Sequence, residues 1–144
     1  MLIDTIKKAW GWTGIDPEKV VGENDFGNLM VKDKLGRFWR ICPEELTCEI
    51  VAKDRAGLDL LSKDSDFLSD WQMSNLVNAA RTALGDLEQG RKYCLAIPGV
   101  LGGKYEVENF KTISLNELID FSGHVAEQIK DLPDGAKIEF KFVD

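Results

Sequence analysis

Two short apolar runs, Asn28–Lys32 and Arg37–Ile41, are separated only by Asp33-Lys34-Leu35-Gly36. Four residues with a closing glycine are enough to turn a chain back on itself, but far too few for a parallel crossover. The pair therefore reads as an antiparallel hairpin. Pro43 stops its second strand, and Thr47–Ala52 supplies a third, so residues 28–52 are expected to form a meander.

Helical periodicity surrounds this β segment. Leu2, Ile3, Ile6, Ala9 and Trp10 predict a short amphipathic helix that Gly11 and Gly14 end. Asp16-Pro17-Glu18 has the form of an N-cap with proline at the first helical position, opening a brief turn to Val20, and Gly22 and Gly27 bracket a polar loop. Beyond the meander, Arg55–Leu61 predicts a short helix. Ser65–Leu84 predicts a longer one, with a stripe of Phe67, Leu68, Trp71, Val77, Ala80 and Leu84 closed by Gly85. Lys92–Ile97 alternates with Tyr93, Leu95 and Ile97 on one face, and Tyr105–Ile113 holds a second extended segment. Ser114-Leu115-Asn116-Glu117 is a capping box for a last helix that buries Leu115, Leu118, Ile119, Val125, Ala126 and Ile129. Leu132-Pro133-Asp134-Gly135 turns into a closing strand marked by Ile138, Phe140 and Phe142. The order α-βββ-αα-β(β)-α-β is an α+β protein, helices laid on a mainly antiparallel sheet, with residues 1–144 as a single domain.

Charge narrows the function. The chain carries 18 Lys plus Arg against 25 Asp plus Glu, a net charge of −7. The excess is spread out, ten basic and fourteen acidic residues in 1–72, eight and eleven in 73–144. With no basic arm, direct binding to nucleic acid or an anionic membrane is disfavoured. The N-terminus has Asp4, Lys7 and Lys8 among its apolar residues and is not a signal peptide. No apolar run approaches the ~20 residues of a membrane span. A cytoplasmic protein is expected. Cys42, Cys48 and Cys94 are an odd set without a C-x-x-C pair, read as buried reduced thiols, and no metal or cofactor is expected.

Catalytic candidates are sparse. His124, the only histidine, lies between Asp120 and Gln128 at four-residue steps, opposite the Leu118/Val125/Ile129 stripe, so it belongs to the solvated face. Ser122 is two residues away and does not share that face. Pro98-Gly99-Val100-Leu101-Gly102-Gly103-Lys104 follows a strand, but the acidic stretch after it is not a helix, so a turn needing positive φ explains its glycines better than a phosphate cradle does. The acidic pairs Asp16/Glu18, Glu23/Asp25, Glu44/Glu45, Asp64/Asp66 and Glu106/Glu108 fit no EF-hand spacing. Trp10 and Trp71 are expected in the core and Trp39 in the core or at its edge, with Trp12 unassigned. No catalytic residues are assigned, and the chain is expected not to be an enzyme. The competing expectation is a small ligand-binding domain or enzyme using the Trp39/Arg40 region and the Pro98–Gly103 loop. A third is a structural subunit of a larger assembly.

Several strings together carry a resemblance: Asn24-Asp25-Phe26-Gly27-Asn28, Gly36-Arg37-Phe38-Trp39-Arg40-Ile41, Pro43-Glu44-Glu45-Leu46, Asp70-Trp71, Ile97-Pro98, Leu101-Gly102-Gly103-Lys104-Tyr105, Asn109, and Glu117-Leu118-Ile119 through Leu132-Pro133-Asp134-Gly135. The chain resembles the C-terminal domain of bacterial immunity proteins that guard against type VI secretion DNase toxins, the Tdi family, most clearly over 71–144. The general layout is also similar to the SUKH immunity superfamily. The resemblance implies a non-catalytic, cytoplasmic protein without cofactor that binds and neutralises a cognate toxin. Members often carry a separate N-terminal GAD-like domain, for which this chain is expected to be too short. Immunity surfaces diverge with their toxins, so the resemblance assigns no toxin-contacting residue.

Overall fold

The hairpin predicted at residues 28–41 is the middle of a four-stranded antiparallel meander in the computed structural model, which describes residues 2–132. Strand β1 spans Pro17–Glu23, β2 Leu29–Asp33, β3 Phe38–Cys42 and β4 Thr47–Ala52, in the order β1-β2-β3-β4. Register places Val31 opposite Trp39 and Leu29 opposite Ile41, so these four side chains share one face. Met30 and Phe38, at alternate positions, take the other.

β1 corrects the reading of Asp16-Pro17-Glu18 as a helix start. Proline heads an edge strand, where its missing N–H costs no ladder bond, and the Asp16 carbonyl accepts from Lys34 N at 3.0 Å. The strand is held by pairing with β2, a tertiary contact that local sequence does not record. Gly22 lies inside it. The loop that follows is organised by Asn24, whose Oδ1 accepts from Phe26 N and Asn28 N, both at 3.0 Å.

Helices cover both faces of the meander. On the Leu29/Val31/Trp39/Ile41 side, α1 (Leu2–Trp10) and α5 (Leu115–Ile129) bring Ile6, Ala9, Trp10, Ile119, Val125 and Ala126 into one core. On the other side Met30, Phe38 and Ala52 meet Leu58 of α2 (Arg55–Leu61) and Phe67 and Trp71 of α3 (Ser65–Gln72). A third cluster joins Val77 and Ala80 of α4 (Ser74–Leu84) to Phe26, Tyr93, Leu95 and Phe110. The last three belong to β5 (Arg91–Leu95) and β6 (Phe110–Ser114), which pair antiparallel as a second, separate sheet.

The helix expected over Ser65–Leu84 is thus two. Met73 ends α3 and begins α4 with φ +49°, and Asn24 Nδ2 donates to the Trp71 carbonyl at 2.8 Å beside the break. Its apolar stripe serves two different cores, Phe67 and Trp71 the meander and Val77 and Ala80 the small sheet, which one straight helix would not do. Trp71 is only half-buried, correcting the expectation of a core position. The N-cap half of the expected capping box is present, Ser114 Oγ accepting from Glu117 N at 3.2 Å. The expected Pro133-Asp134-Gly135 turn and the closing strand at Ile138, Phe140 and Phe142 lie outside the described residues.

Candidate functional site

Alternation along β3 turns Arg40 to the face opposite Trp39 and Ile41. Register sets it across from Glu49 on β4. From this position its guanidinium reaches Asp70 of α3, with Nη1 at 2.5 Å from Oδ2. Nε and Nη2 donate to Asn28 Oδ1 at 3.0 and 2.8 Å. The same group lies 5.2 Å from the Trp71 ring centre and 5.9 Å from that of Phe67.

Asn28 passes the network on. Its Nδ2 donates to both carboxylate oxygens of Glu44, at 3.1 and 2.9 Å, and Cys42 Sγ approaches Oε1 at 2.9 Å. Glu44 is 5% exposed. Burial raises its carboxyl above the ordinary 4.5, against the opposing pull of the Cys42 and Asn28 hydrogen bonds and the Arg40 charge. Burial also raises the Glu45 carboxyl next to it.

Above this floor opens a cleft of about 380 Å³, walled by Phe67 and Tyr105 and edged by Glu45, Glu49 and Asp70 around Arg40. Four carboxylates, Glu44 included, face one guanidinium, so the cleft is acidic. On the far side of the Pro43–Glu45 turn lies a mainly apolar cavity of about 280 Å³ between the small sheet and α5, lined by Leu46, Leu95, Pro98 and Phe121 among others. Glu44 borders both.

The Pro98–Gly103 loop stands beside the turn. Its conformation is imposed by Asn109, whose Oδ1 accepts from Ile97 N and whose Nδ2 donates to the carbonyls of Ile97 and Lys104, all at 2.9 Å. Gly103 N donates to Pro98 O at 3.1 Å. A Cβ on Gly103 would fall 1.7 Å from the Ile97 carbonyl oxygen, so glycine is required there by close backbone approach. Ile97 and Val100 are held out to solvent, 45% and 57% exposed.

Trp39 and Arg40 are neighbours in the sequence, but the sheet separates them. Trp39 is buried on the α1/α5 side, where Nε1 donates to Asp33 Oδ2 at 2.9 Å. The Pro98–Gly103 loop does approach the Arg40 cleft, through Glu45 and Tyr105, both of which crowd Gly99. His124 stands exposed on α5 and lines neither cavity, although Asp120, whose Oδ1 lies 3.1 Å from its Nε2, borders the apolar one. Trp12 Nε1 donates to the carbonyls of Ala9 and Gly123, at 2.9 and 3.2 Å, which makes it a clasp between α1 and α5. Nothing in the sequence alone marks Glu49, Asp70 and Tyr105 as site residues. The Arg40–Glu49 pair follows once the β3–β4 register is known, whereas Asp70 and Tyr105 arrive from distant elements.

Cys42, Cys48 and Cys94 are free thiols in or at the end of strands. Among the described residues no three His, Cys, Asp or Glu side chains are grouped so as to hold a metal ion, and no helix is long and apolar enough to cross a membrane.

No curated protein matches the chain. Residues 52–126 match the family described as T6SS immunity protein Tdi1, C-terminal. The matched segment runs from the last residue of β4 through α2, α3, α4, β5 and β6 into α5, so it contributes Asp70, Tyr105 and the Pro98–Gly103 loop. The strings at 24–28, 36–41 and 43–46 precede it and the one at 132–135 follows it. With more than half of its 144 residues in the match, the chain belongs to the family of type VI secretion immunity proteins defined by the Tdi1 C-terminal domain.

Proposed function

We propose that this chain acts in the cytoplasm as the immunity partner of a type VI secretion toxin, binding it stoichiometrically and neutralising it without catalysis or cofactor, and that the toxin is a nuclease. The family match over residues 52–126 carries the reading. Charge supports the finer part. A nuclease must hold a polyanion and therefore presents a basic cleft. A partner of net charge −7 is attracted to such a cleft over distances comparable with the Debye length, which speeds encounter.

The test is co-expression with a type VI secretion toxin found encoded beside this gene or another candidate nuclease toxin, followed by pull-down and stopped-flow mixing across ionic strengths. Protection of the cells, a 1:1 complex and an association rate that falls as salt rises are expected. Failure to bind or protect removes the immunity reading. Binding with a salt-independent association rate keeps immunity and rejects steering by net charge.

A further inference from the structure

A toxin-binding surface must be accessible, must offer apolar area that gains by being covered, and must match the partner in charge. One region of the described structure combines the three. Exposed large apolar side chains concentrate between residues 97 and 107, where Ile97, Val100, Tyr105 and Val107 all stand 39% exposed or more. Single exposed apolar residues need no explanation, but four within eleven residues of one loop do. This loop is also rigid by construction, fixed by the three Asn109 hydrogen bonds and by the Gly103 close approach. A loop ordered before binding loses little entropy on docking.

Charge lies directly beside it. Tyr105 belongs both to the loop and to the wall of the acidic cleft, and Gly99 of the loop abuts Glu45. Glu49 and Asp70 complete the rim, and both are exposed. Arg40 is already engaged by Asp70 and Asn28. Among the described residues neither Glu45 nor Glu49 forms an ion pair within the cleft, and the flat faces of Phe67 and Tyr105 suit a planar cation.

Resting on the immunity reading above, we propose that this face is where the toxin docks: the cleft between β3–β4 and α3 receives a basic side chain of the toxin, arginine by its shape, while Val100 and Tyr105 on the braced loop cover apolar surface next to it. The partner is a protein segment that presents a cation beside an apolar patch. Such a segment belongs to the basic surface with which a nuclease would hold its substrate, so docking here covers that surface.

Three single variants of the full chain test the assignment against the purified toxin, by titration calorimetry and stopped flow. Glu49→Lys and Val100→Asp alter the two halves of the face at exposed positions. Glu18→Lys makes the same charge change as Glu49→Lys on β1, at the opposite edge of the meander. All three should melt like the parent; should Val100→Asp unfold, Val100→Ser replaces it. Loss of affinity of about tenfold or more for Glu49→Lys and Val100→Asp, with Glu18→Lys within about twofold of the parent, is expected. Parent-like binding by Glu49→Lys and Val100→Asp overturns the assignment while leaving immunity intact. Equal weakening by both charge reversals also overturns it, in favour of diffuse attraction. A parent chain that does not bind the toxin removes the immunity reading itself, and this one with it.

Discussion

Gly123 of α5 rests directly on Ala9 of α1. A Cβ at Gly123 would come 2.5 Å from the Ala9 carbonyl oxygen and 2.6 Å from the Ala9 Cβ. The two helices meet backbone to backbone here, and Trp12 closes over the crossing by donating to the carbonyls of both residues. Elsewhere in a helix, glycine to alanine gains about 1 kcal/mol of helix propensity. At this crossing the added methyl has backbone in its way, and overpacking of this kind costs about 1–3 kcal/mol. Gly123→Ala is therefore expected to lower the denaturant midpoint. A variant at least as stable as the parent would show that α1 and α5 do not cross at these residues.

Asp33 is fully buried at the end of β2 and is the fixed point of the hairpin. Its carboxylate accepts from Leu35 N at 2.9 Å, Arg37 N at 2.8 Å, Arg37 Nε at 2.7 Å and Trp39 Nε1 at 2.9 Å. Burial acts to raise its pKa, but these donors outweigh it and hold the carboxyl below its ordinary 3.8. A depressed pKa contributes stability that is present above the unfolded value and lost as pH falls through the folded one. Glu44 has the opposite sign. Its raised carboxyl favours the fold below the ordinary 4.5, and that contribution is lost as pH rises through the folded value. Melting followed from pH 7 to pH 2 should show Asp33→Asn missing the parent's loss below pH 3.8. Glu44→Gln should flatten the curve above pH 4.5. Asp33→Ala strands several donors and should cost about 3–5 kcal/mol. An unchanged acid limb in Asp33→Asn would remove the role given to this carboxylate.

The thiols should be slow to react. Burial pushes Cys48 up to about 11, with the Thr13 hydroxyl opposing and the Glu49 charge adding to the rise. Burial pushes Cys94 up to about 11 against the Lys111 and Arg91 charges, and burial with the Glu44 charge raises Cys42 further. The thiolate is the reactive form. Labelling with a maleimide or a disulfide reagent at pH 8 is expected to be slow in native protein, with three thiols counted promptly in denaturant. Fast native labelling of any one would place that cysteine in a different environment.

The tryptophans should separate by burial. Trp10 is fully buried and its Nε1 donates to the Ile119 carbonyl at 3.2 Å, so Trp10→Ala is expected to cost about 3–5 kcal/mol. Trp71 is half-buried between Phe67 and Arg40, and Trp71→Ala should cost less, about 1–3 kcal/mol. His124→Ala, on the exposed face of α5, should stay within about 0.5 kcal/mol of the parent. Chemical denaturation of the three variants ranks them. A Trp71 variant as damaged as the Trp10 one would contradict the half-buried position.

Local pattern was sufficient wherever an element's own residues carry its reason. The hairpin turn at Asp33–Gly36, α2 at Arg55–Leu61 and the Ser114 cap of α5 are all set by interactions within a few residues of chain, and each is readable from the sequence, as is β4 at Thr47–Ala52 from its own β-prone run. So was the exposed face of His124, because helical spacing alone places it opposite the buried stripe. Other features depend on partners outside their own residues. Pro17–Glu23 is a strand only because β2 offers an edge, although its proline and acids suit a helix start. The break at Met73 has no glycine or proline to announce it. It comes from two cores that each claim half of one apolar stripe, with Asn24, 47 residues away, bonding the Trp71 carbonyl at the junction. The division of Trp39 from Arg40 follows from the period of two along a strand, but which of them faces a cleft depends on where α3 and α5 come to rest. The acidic cleft itself joins Arg40, Glu49, Asp70 and Tyr105 from four separate parts of the chain. No spacing rule reaches across those distances, since only packing determines which distant carboxylates and rings become neighbours.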